Sequence, residues 1–289
     1  QGGHQSALAL SQAGLDAATQ TLANANVTAC EVWVRAGTYL PTIGVGRKKT
    51  ITLRPNVALY GGFDGTETTL SARKFKENET ILSGDLGVAG DKTDNAYHVV
   101  TGANNAAIDG FTITAGNANS SNDGNGGGMR NLAVSPKVSN CVFASNEATW
   151  AGGGMLVSGG ASPEVTNCSF VSNKGRSGGG IHVADGTTRI KGCTFTNNAA
   201  SDSGGGVSAL AGLELGDSFF AGNTAADGGG VFARNATISN CVFWANTAQR
   251  GGGSFHLGIG RTTITHCTYA ENVATKAGAG RAIDAYTNP

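Results

Sequence analysis

Four charged residues stand at matching positions of the chain, each shortly ahead of a run of glycines. Asp202 and Asp227 form the nearest acid pair, and Arg176 and Arg250 occupy the corresponding positions before and after them. Two carboxylates about 5 to 9.5 Å apart would suit glycoside hydrolysis, and an arginine base beside a carboxylate-held calcium would suit polysaccharide elimination. The same position holds Trp150 in another repeat, and this variation favours solvated turns over a catalytic site.

A second group of acids lies in the segment 83–95. Asp85, Asp91 and Asp94, with a neighbouring asparagine, place hard oxygen ligands in a short glycine-containing loop, and this is the ligand type that calcium prefers. Lys92 stands among these acids, and the spacing of an EF-hand loop is missing. The segment is therefore a candidate calcium site, with an ordinary polar turn as the favoured alternative. No other cofactor is predicted.

The second residue after each glycine run is predicted to point outward. It holds Arg130, Leu156, His182, Ser208, Phe232 and Phe255. Of these, Leu156, Phe232 and Phe255 are candidates for an exposed apolar strip that binds a partner or sugar rings. The alternative is that they pack against a returning loop. His182, His256 and His266 are assigned to different columns, which indicates separate packing or surface histidines.

These candidates are positioned by a repeat of about 25 residues, a period typical of solenoids. Glycine triplets begin at Gly126, Gly152, Gly178, Gly204, Gly228 and Gly251, at spacings of 26, 26, 26, 24 and 23 residues. A Cys-x-Phe-x-x-Asn motif runs between them and begins at Cys141, Cys168, Cys193, Ser218, Cys241 and Cys267. Two separate motifs that keep one period indicate a stack of similar coils.

Apolar residues alternate within each repeat, as strands require. Inward positions are predicted at the cysteine, two residues after it and three residues before it. Gly, Asn, Thr and Ser are abundant and disfavour α-helix. The sequence therefore predicts an all-β, right-handed parallel β-helix in which like residues stack about 4.8 Å apart. Asparagine at each bend is expected in a left-handed backbone conformation, with its amide bonded to the next coil.

Two columns of side chains follow from this register. The cysteine column is interpreted as a set of buried free thiols, because stacked thiols have parallel Cα–Cβ vectors that strain a disulfide. No histidine or carboxylate column lies beside them to complete a zinc site. On the outside, Lys137, Glu164, Arg189 and Glu214 alternate in charge, which is predicted to set the register between strands.

The chain divides into three predicted parts. Residues 1–29 form an N-terminal capping segment with an amphipathic helix over 6–25. Residues 30–125 form the initial coils, and residues 126–289 form the regular coils. Within the initial coils, strands are predicted at 31–34, 50–53, 57–60, 80–82 and 97–100. The chain stops early in a new coil at 280–289, so either the native protein continues or copies dock head to tail into fibres.

The Gly-Gly-Gly and Phe-x-x-Asn repeats resemble those of the polymorphic outer-membrane protein family, whose passenger regions are adhesive β-helices. The preceding part is similar to the initial region of secreted bacterial right-handed β-helix surface proteins, in the runs VWVRAGTYLPT, LRPNVALYGGFDGTETTLS, ETILSGD and YHVV. Together these runs and repeats span most of residues 30–276. The resemblance implies an adhesive β-helix that is secreted or displayed on the bacterial cell surface.

Composition limits the partners of the chain. Lys+Arg and Asp+Glu both number 20, so no net charge draws the chain to nucleic acid. No apolar run is long enough to span a bilayer. The favoured function is a non-catalytic scaffold or adhesin whose partner is a surface ligand, a polysaccharide or another copy. The alternative is a polysaccharide lyase, a glycoside hydrolase or a carbohydrate-binding module on a pectate-lyase-like β-helix.

Overall fold

The chain winds into a parallel β-helix whose regular coils each contribute four strand segments. A computed structural model describes residues 29–42, 44–258, 260–276, 280 and 283–285. We number the strand columns stack 1 to stack 4, in chain order after each glycine triplet. Stacks 1 and 2 form one 16-stranded sheet, stack 3 a 9-stranded sheet and stack 4 a 7-stranded sheet. The predicted all-β solenoid is confirmed.

The strands are short, and most span two to five residues. Those of stack 1 are Ile51–Thr52, Val100–Thr101, Met129–Leu132, Met155–Ser158, Ile181–Val183, Phe255–Leu257 and Ile283–Ala285. Those of stack 2 are Cys30–Arg35, Val57–Phe63, Ala107–Asp109, Lys137–Ser139, Glu164–Thr166, Thr187–Lys191 and Thr262–Thr265. Two long strands join stacks 1 and 2, namely Val207–Gly216 and Val231–Ser239.

The other two stacks form separate sheets. The strands of stack 3 are Gly37–Tyr39, Thr80–Ser83, Thr112–Thr114, Val142–Ala144, Ser169–Val171, Thr194–Thr196, Phe219–Ala221, Val242–Trp244 and Thr268–Ala270. Those of stack 4 are Asn117–Ala118, Glu147–Ala148, Lys174–Ser177, Ala199–Ser203, Thr224–Asp227, Thr247–Gly251 and Val273–Ala274. A single 3-10 turn, Leu70–Ala72, is present among the described residues.

Four of the five strands predicted in the initial coils are present. The fifth, predicted at 97–100, begins only at Val100, because the backbone before it is held by a loop: Tyr97 N donates to Arg47 O over 2.9 Å. The predicted capping helix at 6–25 lies outside the described residues. In the part of the chain that the structure describes, no helix has the length and apolarity needed to cross a membrane.

The predicted inward columns form the core. Val165, Cys168, Cys193 and Ile238 are buried, as are the phenylalanines of stack 3, which are Phe143, Phe170, Phe195, Phe220 and Phe243. Their rings stack face to face from coil to coil, with centroids 4.5–4.9 Å apart. The register prediction for these columns is confirmed.

The asparagines of the motif form a buried ladder along the axis. It contains Asn146, Asn173, Asn198, Asn223, Asn246 and Asn272. The Nδ2 of each asparagine up to Asn246 donates to the Oδ1 of the asparagine one coil further on, over 2.8–3.1 Å. The amide ladder is therefore confirmed. The left-handed conformation predicted for these asparagines falls instead on the residue before each of them, as at Ser145 and Asn197 with φ of 55° and 56°.

The first and third positions of the glycine triplet require glycine for different reasons. Its first glycine has positive φ, for example +65° at Gly178, which favours glycine. Its third glycine approaches the next coil closely, since a Cβ on Gly154 would lie 2.6 Å from Gly180 O. In the last coil the positive φ falls on Gly252, and Ser254 takes the third position. The triplet predicted to begin at Gly251 is therefore out of register by one residue.

The outer charge column is aligned as predicted. Lys137, Glu164, Arg189 and Glu214 pair in register on stack 2 and are exposed, and Arg189 Nε lies 2.8 Å from Glu214 Oε2. The cysteines of the inward column up to Cys241 are buried free thiols. Burial raises the pKa of Cys241 to about 12, so this thiol stays protonated at neutral pH.

Candidate functional site

The outer positions of stack 1 line a concave corner. They form one column of Arg130, Leu156, His182, Ser208, Phe232 and His256. Although they alternate with core residues, Leu156, His182 and Ser208 are themselves buried. The glycine turn folds the end of stack 4 against them, and Ser203 Oγ of stack 4 lies 3.1 Å from Ser208 Oγ. We call this concave surface the glycine corner.

Three polar side chains meet where the glycine corner begins. His98 Nδ1 is hydrogen bonded to Gly126 O over 2.9 Å. Its other nitrogen, Nε2, lies 3.7 Å from Asp123 Oδ1. The same Oδ1 is 3.8 Å from a terminal nitrogen of Arg130. The His98 side chain is 8% exposed and the Asp123 side chain 23%, so the group is largely withdrawn from solvent but retains an opening at the aspartate.

The repeat itself places His98. Val100 pairs with Met129 in stack 1, and Val99 N donates to Gly127 O over 3.2 Å. His98 therefore lies beside Gly127, in the coil that precedes the first triplet. The later coils have glycine at this position and this coil has an imidazole.

Asp123 and Arg130 reach the cluster from different elements. Asp123 lies in the bend that leads into the first triplet, where its backbone N–H donates to Ser120 Oγ over 2.9 Å. Arg130 is held on stack 1 between Thr101 and Leu156. A loop thus brings the Asp123 carboxylate, and a strand the Arg130 guanidinium, to the same histidine.

The hydrogen bond to Gly126 settles which nitrogen of His98 carries the proton. A carbonyl oxygen only accepts, so Nδ1 must be the protonated nitrogen of the neutral ring. Burial lowers the pKa of His98, and Arg130 lowers it further, whereas the Gly126 carbonyl and Asp123 oppose this shift. The ring is therefore neutral at neutral pH and presents the lone pair of Nε2, which has no hydrogen-bond partner among the described residues.

An exposed aromatic ring lies beside the cluster. Trp150 N donates to Gly124 O over 2.9 Å, which places the indole against the residue that follows Asp123. A Cβ on Gly124 would come within 2.9 Å of Trp150 Cδ2, so only glycine allows this contact. Trp150 is 40% exposed. The arrangement combines an apolar ring with hydrogen-bonding side chains, which is common in sites for small polar ligands.

Three of the four predicted catalytic residues form an ion-pair network. Arg250 lies 2.8 Å from Asp202 Oδ1 and 2.7 Å from Asp227 Oδ2. All of them belong to stack 4 strands and not to turns, because the bend comes later, at the first glycine. Arg176 is exposed on the neighbouring strand Lys174–Ser177. Both carboxylates are held by one guanidinium, and a catalytic role for them stays a prediction.

The predicted apolar strip is not continuous. Leu156 is buried in the glycine corner, and Phe232 is half-buried and stacks on His256 with ring centroids 5.3 Å apart. Phe255 pairs with Val231 and is fully buried in the core. Its predicted outward position is wrong, because the last triplet is displaced by one residue and His256 takes the outer position.

The histidine assignment changes with that register. His182 and His256 lie in the same outer column of stack 1, and not in different columns as predicted. Burial lowers the pKa of His182 to about 4, which makes it a neutral packing residue at neutral pH. His266 follows a stack 2 strand in a left-handed conformation, with φ of 52°, and is exposed.

The carboxylates of the predicted calcium loop bind backbone amides of their own loop. Asp85 accepts from Gly90 N over 3.0 Å, Asp91 from Thr93 N over 2.9 Å, and Asp94 from Val88 N over 2.8 Å. Among the residues that the structure describes, no three His, Cys, Asp or Glu side chains form a group able to hold a metal ion. Calcium binding at this loop stays a prediction.

Stack 3 exposes a second apolar surface. Val242 is 38% exposed and Trp244 is 45% exposed, and both lie on the outer face of one strand. Phe219 is half-buried beside Val242 in the preceding coil. This outer face lies on a different side of the coil from the cluster of His98, Asp123 and Arg130.

Comparison with known proteins defines the class. A family profile described as right handed beta helix region matches residues 41–214 and 99–288. The chain therefore belongs to the right-handed β-helix family, and the predicted handedness is confirmed. Among solved structures, the A-module of the Azotobacter vinelandii mannuronan C-5 epimerase AlgE4 aligns with a TM-score of 0.36 and 12% identity, over 99% of this chain and 98% of that one. No curated protein matches the sequence.

Proposed function

We propose that the chain is a secreted or cell-surface β-helix scaffold of the adhesin type that binds a polysaccharide at the glycine corner. The observation that carries this proposal is the polar cluster of His98, Asp123 and Arg130 beside the exposed ring of Trp150. An aromatic face covers the apolar face of a sugar, and a few fixed polar groups orient it. The resemblance to polymorphic outer-membrane protein repeats supports the proposed location.

The geometry favours binding to a long ligand. Each coil advances by about one strand spacing, 4.8 Å, and the glycine corner continues past His182 and Phe232 along the axis. A polymer that enters at Trp150 would therefore run along the axis, with the half-buried Phe232 as the next accessible side chain of this column.

A polysaccharide panel, read for both binding and cleavage, tests the proposal. We expect at least one polysaccharide to bind, and Trp150→Ala to weaken binding by about tenfold, equal to roughly 1.4 kcal/mol. Trp244→Ala is the matched control, because Trp244 is as exposed as Trp150 but lies on stack 3. Equal losses in the two variants would mean that the glycine corner is not the binding surface.

A polysaccharide lyase or glycoside hydrolase is the second candidate function. The observation that favours it is the neutral His98, whose Nε2 carries the lone pair that a general base needs. Cleavage of any polymer in the same panel, abolished in His98→Gln with the far-UV circular dichroism unchanged, would establish this function. Binding without product in every arm establishes the scaffold.

Self-association is the alternative partner, and it uses a different surface. Val242 and Trp244 on the outer face of stack 3 are a pair of exposed apolar side chains that could serve it. Light scattering over a concentration series measures the mass of the particles. A rise in mass that Trp244→Ala abolishes would identify a fibre-forming protein, and a constant monomer mass excludes fibres.

Calcium binding at Asp85, Asp91 and Asp94 is proposed as a separate property. The side chains supply the hard oxygens that calcium prefers, although each already accepts a loop N–H. Calorimetric titration with calcium should release heat, and a chelator should lower the melting temperature. No heat together with an unchanged melting temperature excludes the site.

A further inference from the structure

Two hydrogen-bond acceptors of the cluster face each other without a donor between them. His98 Nε2 and Asp123 Oδ1 are 3.7 Å apart, which is too long for a hydrogen bond. The proton of the neutral ring is on Nδ1, where the Gly126 carbonyl holds it. Both facing atoms therefore carry lone pairs, and the Nε2 lone pair is buried without a partner in the described part of the chain.

A buried acceptor without a donor is costly. Burying a polar group away from water without a hydrogen bond destabilises the protein. A ligand that brings O–H donors removes this cost, whereas a ligand that brings only acceptors increases it. The cluster is thus matched to hydroxyl groups by the type of atom that it presents.

The charges of the cluster also favour an uncharged ligand. Arg130 lies 3.8 Å from the Asp123 carboxylate, so the one positive charge is already balanced by a negative charge when His98 is neutral. An anionic group placed here would meet the Asp123 carboxylate as well as Arg130. A net attraction for a sugar acid, which needs an excess of positive charge, is not available.

We propose that the sugar unit bound at this cluster is a neutral one, with two neighbouring hydroxyls that donate to His98 Nε2 and Asp123 Oδ1. This inference rests on the proposed polysaccharide-binding function. Arg130 donates to a hydroxyl or ring oxygen of the same unit, and Trp150 covers its apolar face. Each O–H···O or O–H···N contact needs a heavy-atom distance of about 2.8 Å. Since Nε2 is enclosed in the free protein, the Asp123 side chain, which is 23% exposed, turns outward to admit the hydroxyls.

The test compares sugars that differ only in charge. Oligogalacturonates are measured by calorimetry against their fully methyl-esterified, neutral forms, together with neutral oligosaccharides paired with the uronic-acid oligomers of the same linkage. We expect the neutral member of at least one pair to bind about tenfold or more tightly than the acid. Tighter binding of the acids overturns this inference and leaves the proposed function standing. Absence of binding by every oligosaccharide and polysaccharide overturns both.

Two variants locate the contact. Asp123→Asn turns one acceptor oxygen into a competing N–H donor, so it should weaken binding of the neutral sugar by about tenfold. Asp185→Asn is the matched control, since Asp185 is an exposed aspartate that accepts a backbone N–H, from Gly160, in another coil. Equal effects of the two variants would overturn the assignment.

A spectroscopic readout is independent of stability. Long-range ¹H–¹⁵N spectra of the imidazoles distinguish a protonated nitrogen from one with a free lone pair. Free His98 should show the proton on Nδ1, and the neutral sugar should shift the Nε2 signal in the direction of hydrogen bonding. A proton found on Nε2 in the free protein would remove the basis of the inference.

Discussion

The two faces of stack 3 differ in how far their residue types vary from coil to coil, although they belong to the same strands. Inside, every regular coil from Phe143 to Phe243 places phenylalanine against phenylalanine. Outside, the adjacent column changes residue type in almost every coil and contains Val142, Ser169, Thr194, Phe219 and Val242. A ring that packs against its own copy must keep its size and rotamer, whereas a solvated neighbour need not.

The same contrast explains where the polar cluster lies. The second position of the glycine column is glycine from Gly127 onward, because a Cβ there would meet backbone of the adjacent coil and of stack 4. One coil earlier the position holds His98, so a titratable side chain is buried where the later coils have glycine. The comparison teaches that regular columns carry the fold and that the candidate site begins where a column is interrupted.

The largest expected effect separates the inner and outer faces of stack 3. Phe195→Ala removes a fully buried ring stacked on both sides and should lower the free energy of unfolding by about 3–5 kcal/mol. Phe219→Ala removes a ring from the outer face and should lower it much less. Urea unfolding followed by circular dichroism measures both, and a loss below about 1 kcal/mol at Phe195 would contradict a packed core column.

A pair of glycines isolates the effect of close approach from that of backbone conformation. Gly178 and Gly160 have φ of +65° and +76°, but an added Cβ meets the Ile181 carbonyl in the first and nothing within 4 Å in the second. Alanine at Gly160 should cost about 1–2 kcal/mol for the left-handed conformation alone. We expect Gly178→Ala to lower the free energy of unfolding further. Equal losses would show that the triplet needs only the backbone conformation.

The asparagine ladder offers a comparison within one bend. Asn198→Ala removes the Oδ1 that accepts from the buried Asn173 backbone N–H and the Nδ2 that donates to Phe170 O, at about 1–3 kcal/mol for each group. Asn197→Gly changes the exposed residue just before it, which has φ of 56°, and should alter the free energy of unfolding by a few tenths of a kcal/mol. Thermal denaturation of both variants decides whether the ladder or the bend carries the stability.

The smallest effect is expected on the outer charge column. Glu214→Gln breaks the pair with Arg189, whose two side chains are 58% and 50% exposed. Such pairs are worth roughly 0.2–1 kcal/mol and are screened by salt. The free energy of unfolding should fall by that amount at low ionic strength and return to the wild-type value in 1 M salt. A larger loss that persists in salt would show that the column does more than set register.

Much of the fold follows from the period of the sequence alone. The spacing of Cys168 and Phe170 within their repeat predicts their burial, and the alternation around Glu164 predicts its exposure. Each of these positions is decided by contacts with its own equivalent in the next coil, which the repeat makes visible. Local alternation is enough for such contacts.

Other features depend on information that the period does not contain. The displaced triplet could not be read from Gly251–Gly253, because three glycines in a row allow two registers and only Ser254, which packs in the third position, selects one. The concave corner depends on how stack 4 meets stack 1, so the burial of Leu156 was not predictable from alternation. Asp123 comes from a loop outside the repeat. His98 had a signal, since it stands where the triplet pattern would have placed glycine.

The direction of the hydrogen bonds has a mechanical consequence. The backbone hydrogen bonds between coils and the side-chain hydrogen bonds of the asparagine ladder run along the axis of the rod. Tension applied to the two ends therefore loads successive coil interfaces in series, so each interface carries the full force and the weakest one opens first. A pull across the rod is shared by many coils in parallel. A molecule built in this way resists shear from the side better than extension from the tip.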